Sequence, residues 1–409
     1  MSIELYAPYL DWIDSQSQHM VHLTEQWSRI NSGSYNLAGL AQMLKVLEDN
    51  FLWLNASMER VTLPPLEAVD SKGNVITIPV GQALRIRQRP DAPIQIFLGG
   101  HMDTVFGADH PFQEPRYLNE HTLNGPGVAD LKGGLVVMLK ALEAFERSPW
   151  AAQLGYEIVI NPDEEIGSQS SDFLFKEAAA RNQLGLIYEP ALRDGTLAGA
   201  RKGTGNFTFV VRGRAAHAGR EFELGRNAIV RAADVVQALN ALNGVREGVT
   251  VNVGKIEGGG ALNVVPDLAL VRFNVRVPHL EDQAWIQAEC AKIQRAFGEE
   301  PDYQVALHGC FTRAPKPMSA ANESIFNLVK AAGELLGQPI QWKATGGCCD
   351  GNNLWSYGLP NVDTLGVRGG DIHSDREFVL LESLAERSRL SALILMRLAA
   401  GDETVPSKK

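Results

Sequence analysis

The order of apolar and polar positions predicts a sheet whose strands alternate with helices. Between about residues 92 and 200, β-rich runs at 94–98, 156–160 and 184–188 are separated by helical patterns. One helix starts at Leu131 with Leu135, Leu139 and Leu142 on one face, and another follows Ser168. Such alternation reads as a mostly parallel sheet covered by helices.

The pattern changes from about 201 to 313. A run at 205–213 alternates, a helix from Arg226 turns Ile229, Val236 and Leu239 inward, and strands follow at 250–255 and 268–277. A helix near 281–297 and a strand near 303–308 complete a βαββαβ order, which predicts a small ferredoxin-like α+β insert. After 318 the first pattern returns, with a helix at 323–336, a strand at 362–365 and a closing helix carrying Leu381, Leu384, Leu390 and Ile394. The expected architecture is an α/β catalytic domain built from 1–200 and 314–409, interrupted by an inserted lid or dimerisation domain at 201–313. Ser407, Lys408 and Lys409 read as a terminal tail.

Composition narrows the class. A chain of 409 residues fits two domains of common size. Its 45% hydrophobic and 21% charged residues suit a soluble globular protein, and no apolar run approaches the roughly 18 to 20 residues of a membrane span. Glu4, Asp11 and Asp14 occupy the N-terminus where a signal peptide would be basic and then apolar, so a cytoplasmic location is expected. A net charge of -10 speaks against a nucleic-acid surface. The cysteines Cys290, Cys310, Cys348 and Cys349 lack paired C-x-x-C spacing, and adjacent Cys348 and Cys349 read as packing residues. A metal, if bound, must be held by histidine and carboxylate.

Open α/β sheets build sites at the carboxyl ends of their strands. His101 and Asp103 follow the first strand, Asp130 precedes the helix at Leu131, Glu164 and Glu165 follow the second strand, Glu189 follows the third, and His373 follows the strand at 362. Singly, each has a plain explanation: Asp130 as a helix N-cap, the acidic run at 163–165 as a solvated loop. Their recurrence at successive strand ends points instead to two divalent ions, since carboxylates bridge such pairs. The assignment is His101 and Glu189 on one ion, Glu165 and His373 on the other, and Asp130 between them. Asp103, two residues from His101 on extended backbone, projects to the same side and can accept the other ring proton. Glu164 is left free to act on water.

The stretches His101-Met-Asp103-Thr, Gly125-Pro-Gly-Val-Ala-Asp130, Asp163-Glu164-Glu165-Ile-Gly167, Tyr188-Glu189-Pro190 and His373-Ser-Asp375 resemble the M20 family of metallopeptidases and deacylases. Arg201-Lys202-Gly203, Ala216-His217-Ala218-Gly219 and Asn263-Val-Val-Pro266 are most similar to its carboxypeptidase G2-like group of glutamate carboxypeptidases. The resemblance implies two zinc ions per subunit, with cobalt or manganese as alternatives. It also implies Glu164 as general base, Asp103 as the partner behind a ligand, and a homodimer through the lid. The chain departs from the family at Thr345-Gly346-Gly347-Cys348-Cys349-Asp350, which would lie near the substrate.

The expected reaction is hydrolysis of an amide bond next to a substrate carboxylate, in a small peptide or an N-acyl amino acid, by a metal-bridging hydroxide. His217 is the candidate donor to the tetrahedral oxyanion, or else a packed lid histidine. Arg276, on the polar face of the strand at 268–277, is the candidate fork for the substrate carboxylate, with Asn263, Arg313 and Gly347 as lesser contacts and Arg272 a surface charge. Metals on one domain with His217 and Arg276 on the other predict hinges near 200 and 314. An N-acyl amino acid deacylase of acetylornithine or succinyl-diaminopimelate type is the second reading, and an inactive metal-binding protein the third.

Overall fold

The computed structural model describes residues 3–299 and 301–405, so the tail at Ser407, Lys408 and Lys409 lies outside the described residues. The chain enters through three helices, Ala7–Ser15, Ser17–Ser28 and Leu37–Phe51, then forms strands β1 (Ser57–Val61) and β2 (Ala83–Gln88). Strand β3 (Ile94–His101), helix Lys132–Glu146, strand β4 (Leu154–Asn161), helix Asp172–Arg181 and strand β5 (Leu184–Ile187) follow in the alternation expected. Every residue of β4 is buried, as suits a strand covered on both faces.

The segment beyond Arg201 forms β6 (Gly203–Arg212), helix Ala228–Asn240, β7 (Thr250–Gly258), β8 (Leu268–Val277), helix Leu280–Gly298 and β9 (Gln304–Arg313). These four strands make one antiparallel sheet in the order β7-β8-β6-β9. Strand β8 alternates strictly from Val271 onward, with Val271, Phe273, Val275 and Val277 buried and Arg272, Asn274 and Arg276 on the other face. The buried face joins Phe207, Phe209, Val235, Leu239 and Ile286 in a hydrophobic core separate from that of the rest of the chain.

After the insert come helix Ala320–Leu335, strand Trp342–Thr345, helix Asp350–Ser356, β10 (Asn361–Val362) and the closing helix Glu382–Ala400. The main sheet runs β1-β2-β4-β3-β5-β10. Its β4, β3, β5 and β10 are parallel, while β1 and β2 extend one edge antiparallel. No helix among the described residues is long and apolar enough to cross a membrane.

The two passages between the units are tied together. Arg201 and Lys316 exchange backbone hydrogen bonds of 2.8 and 2.9 Å. Their side chains then converge on one buried carboxylate: Arg201 donates to Asp363 at 2.8 and 2.9 Å, and Lys316 donates at 2.7 Å to both Asp363 and Asn361. Arg272 is more than a surface charge, since it pairs with Glu257 and donates to the Val69 carbonyl of the hairpin Leu66–Val69/Val75–Ile78.

Candidate active site

Parallel strands deliver their C-terminal residues to one edge, and here that edge gathers acids and histidines. His101 ends β3, Glu164 and Glu165 open a short turn after β4, and Glu189 stands two residues past β5. Asp130 lies just before helix Lys132–Glu146. That helix begins hard against the end of β5, where a Cβ on Gly134 would stand 2.1 Å from the Tyr188 carbonyl oxygen.

Asp130 sits between the two histidines. Its Oδ1 is 3.1 Å from His101 Nε2, and its Oδ2 is 3.3 Å from His373 Nε2. His101 Nε2 also lies 3.8 Å from Glu189, and His373 Nε2 lies 3.1 Å from Glu165. Ligand atoms of His101, Asp130 and Glu165 fall within 4.8 Å of one another, as do those of His101, Glu164 and Glu189. The structure thus brings the five residues into one cluster, with Glu164 beside it.

The electrostatics of the cluster suit cations. Burial and the charge of Asp130 push Glu165 up to about 7, and burial raises Glu189 as well. Burial works against a charged Asp130 too, but hydrogen bonds from His101 and His373 hold it below the usual carboxylate range. Crowded, buried carboxylates with two imidazoles are a donor set for zinc or a similar divalent ion.

Supporting groups surround the cluster. Asp103 Oδ1 faces His101 Nδ1 at 3.2 Å, and the Asp103 carbonyl oxygen lies 3.0 Å from the same nitrogen. Glu377, which the strand-end pattern did not single out, accepts the backbone amides of Gly127, Ala129 and Asp130 at 3.1, 2.9 and 3.0 Å. Burial and the nearby Asp130 raise its pKa to about 8. Only its place two residues beyond Asp375 in the His373 segment could have drawn attention to it.

A cleft of about 330 Å³ opens over the cluster, within the usual range for small-molecule sites. It is lined by Asp130, Glu164, Glu165, Glu189 and His373, and also by Arg201, Arg276, Lys343, Gly347 and Cys348. Arg276 donates from Nε to Asn274 and from Nη1 to Cys348 Sγ at 3.1 Å, and Cys348 donates to the Lys202 carbonyl at 2.9 Å. Cys348 therefore lines the cleft and joins Arg276 to the Lys202 carbonyl rather than filling a core, unlike buried Cys349.

Three residues expected at the substrate stand elsewhere. Arg313 is not in the cleft wall; its guanidinium is buried against Glu164 and Asp350. His217 sits on the ribbon Ala216–His217/Val264–Val265 of the insert and Asn263 immediately precedes its second strand, where Ala218 donates to the Asn263 carbonyl, and neither lines the cleft of its own chain. Their spacing in sequence places them on the insert, but the distance from insert to cleft is a property of how the two units pack.

The sequence profile of peptidase family M20/M25/M40 matches residues 97–397. Carboxypeptidase G2 of Pseudomonas sp. (strain RS-16) is 30% identical over 321 residues, which span 75% of this chain and 74% of that one. The succinyl-diaminopimelate desuccinylase of Hahella chejuensis is 24% identical over 345 residues, 79% of this chain and 88% of that one. Among solved structures, the M20 family metallo-carboxypeptidase Sso-CP2 of Sulfolobus solfataricus superposes with a TM-score of 0.72 at 14% identity, covering 93% of this chain and 99% of that one.

Proposed function

The chain belongs to peptidase family M20/M25/M40 and is a metal-dependent hydrolase of that type, and we propose that it cleaves an amide bond adjacent to a substrate carboxylate, in the manner of a glutamate carboxypeptidase. The observation that carries this reading is that one cleft is lined both by the acid and histidine cluster and by the cations Arg276 and Lys343.

His101 and Glu189 would hold one divalent ion, Glu165 and His373 the other, and Asp130 both; zinc suits these donors, with cobalt or manganese as alternatives. Such a pair, when bound, polarises the scissile carbonyl and makes a water molecule acidic near neutral pH. Glu164 Oε2, left without a protein partner among the described residues, takes the water proton as the oxygen attacks the carbonyl carbon. The same carboxyl then delivers that proton to the amide nitrogen as the C–N bond breaks, giving an acid and an amine. Arg276 Nη2, likewise unpartnered among the described residues, receives the substrate carboxylate, and Lys343 stands in reach of a second acidic group on the same product.

A homodimer completes the site. Exposed apolar side chains stand on the His217 ribbon at Val264, next to it at Leu262, and on the adjoining turn at Phe222 and Leu224, a patch of the kind that marks an interface. Pairing of two copies through the insert buries this patch and offers His217 to the partner's cleft as the oxyanion donor. Similarity to desuccinylases supports a second reading, deacylation of an N-acyl amino acid by the same residues.

The test is hydrolysis of a panel of γ-glutamyl, folate-like, dipeptide and N-acyl amino acid substrates by zinc-loaded protein, beside Glu164→Ala with its metal content measured. Cleavage by wild type and loss of turnover of about 10² or more in a metal-replete variant support the reading. A metal-free, inert wild type, or an active Glu164→Ala, contradicts it.

A further inference from the structure

Arg313 is the last residue of β9, paired with Thr204 at the edge of the insert's sheet. Its side chain leaves that sheet and enters the main unit, where only 3% of it stays exposed. One edge of the guanidinium is fixed by the helix Asp350–Ser356: Nη1 donates to Asp350 Oδ1 and Asn353 Oδ1, both at 2.9 Å. Because the group is planar, this fixes the direction of the other edge. There Nη2 donates to Glu164 Oε1 at 2.7 Å, to the Glu164 carbonyl at 2.9 Å and to Ser168 Oγ at 3.1 Å.

The Glu164 side chain makes no other hydrogen bond among the described residues. Its backbone is held from two directions, by Asp103, which accepts the Glu164 amide at 3.2 Å, and by Arg313 at the Glu164 carbonyl, so the loop keeps one anchor when Arg313 is replaced. What Arg313 alone determines is the rotamer of the carboxylate, and glutamate is among the side chains with most rotamer freedom to lose. A reacting group displaced by about 1 Å can cost 10² in rate.

We infer that Arg313 is the positioning residue for Glu164: it holds Oε1, aims Oε2 into the cleft, and does so from the insert, so that the placement of the insert governs the placement of the base. This rests on Glu164 being the base.

The experiment compares kcat and KM for wild type, Arg313→Met, Arg313→Lys and Asp350→Asn, each with metal content measured. Arg313→Met is made also in the Glu164→Ala background. We expect Arg313→Met to lower kcat about 10²-fold with KM and metal content nearly unchanged, Arg313→Lys to restore part of the loss, and Asp350→Asn to fall between. In the Glu164→Ala background, Arg313→Met should cost nothing further, since its only route to the chemistry is gone. A raised KM with unchanged kcat overturns the inference and returns Arg313 to substrate binding. An equal loss in both backgrounds overturns it in favour of a role apart from Glu164. Should Arg313→Met fail to fold, Arg313→Lys and Asp350→Asn keep the buried charges paired and are judged by the same split of kcat from KM. A fully active Glu164→Ala would sink the base assignment first, and this inference with it.

Discussion

The Asp103 carboxylate stands 3.2 Å from His101 Nδ1 and at the same time accepts the backbone amides of Glu164 at 3.2 Å and Glu165 at 3.1 Å. One buried side chain thus orients a candidate ligand at the end of β3 and the turn after β4. Asp103→Ala should weaken metal affinity by about 10- to 100-fold and lower kcat beyond that even at saturating metal, because Glu164 loses one of its two backbone anchors. Competition with a chromophoric chelator, followed by kinetics in excess zinc, measures both; unchanged affinity would remove Asp103 from the site.

Asp363 ties both passages between the units. Burial works against its charge, but Arg201 and Lys316 hold its pKa at about 2, below the usual 3.8. A depressed carboxylate stabilises the fold above its unfolded pKa and ceases to do so as pH falls toward the folded one. The contribution, on the order of 2 kcal/mol, should therefore be intact at pH 5 and fade between about 4 and 2. Asp363→Asn should lack that acid-side slope and lose about 3–5 kcal/mol at neutral pH, with two buried cations left unpaired. Urea midpoints across this range decide it; parallel curves for the two proteins would mean the pairing adds nothing.

Cys348 bridges Arg276 and the Lys202 carbonyl at the cleft wall. Cys348→Ala should raise KM for carboxylate-bearing substrates by about 2- to 10-fold, the worth of one hydrogen bond, and leave kcat nearly unchanged. Cys348→Ser, which keeps a donor and an acceptor, should recover most of the binding. Equal KM for all three proteins would show that Arg276 needs no such support.

If His217 serves the partner's cleft, inactive His217→Ala and Glu164→Ala copies should complement when mixed. Random pairing puts half the chains in mixed dimers, each with one complete site, so about a quarter of wild-type activity should return. Sedimentation of Leu262→Asp, placed in the exposed apolar patch, should show monomers. No recovery on mixing, with dimers intact, would place His217 in its own subunit's chemistry or outside it.

Much of the main unit was legible because its signals are local. Strand, helix and strand follow one another from Ile94 to Ile187, and parallel strands bring their ends together however the rest packs; His101, Glu165 and Glu189 meet for that reason. The two faces of β8 were legible too, since strict alternation separates Arg276 from Val275 by geometry alone. The antiparallel strands β1 and β2 were not read, because β2 pairs on either side with strands far away in sequence, β1 and β4.

Arg313, Glu377 and Lys343 mark the other limit. In sequence, Arg313 is an arginine a few residues past an expected strand, as Arg276 is an arginine within one, and nothing local tells which of them faces a ligand. The destination of a long charged side chain depends on which carboxylates the packing of two units brings within its reach: Glu164 and Asp350, 149 and 37 residues away, for Arg313. The same holds for the distance of His217 from its own cleft. Strand order and the residues at strand ends follow from short-range pattern, whereas the pairing of buried charges across the two units is a long-range outcome of packing, and only the folded chain decides it.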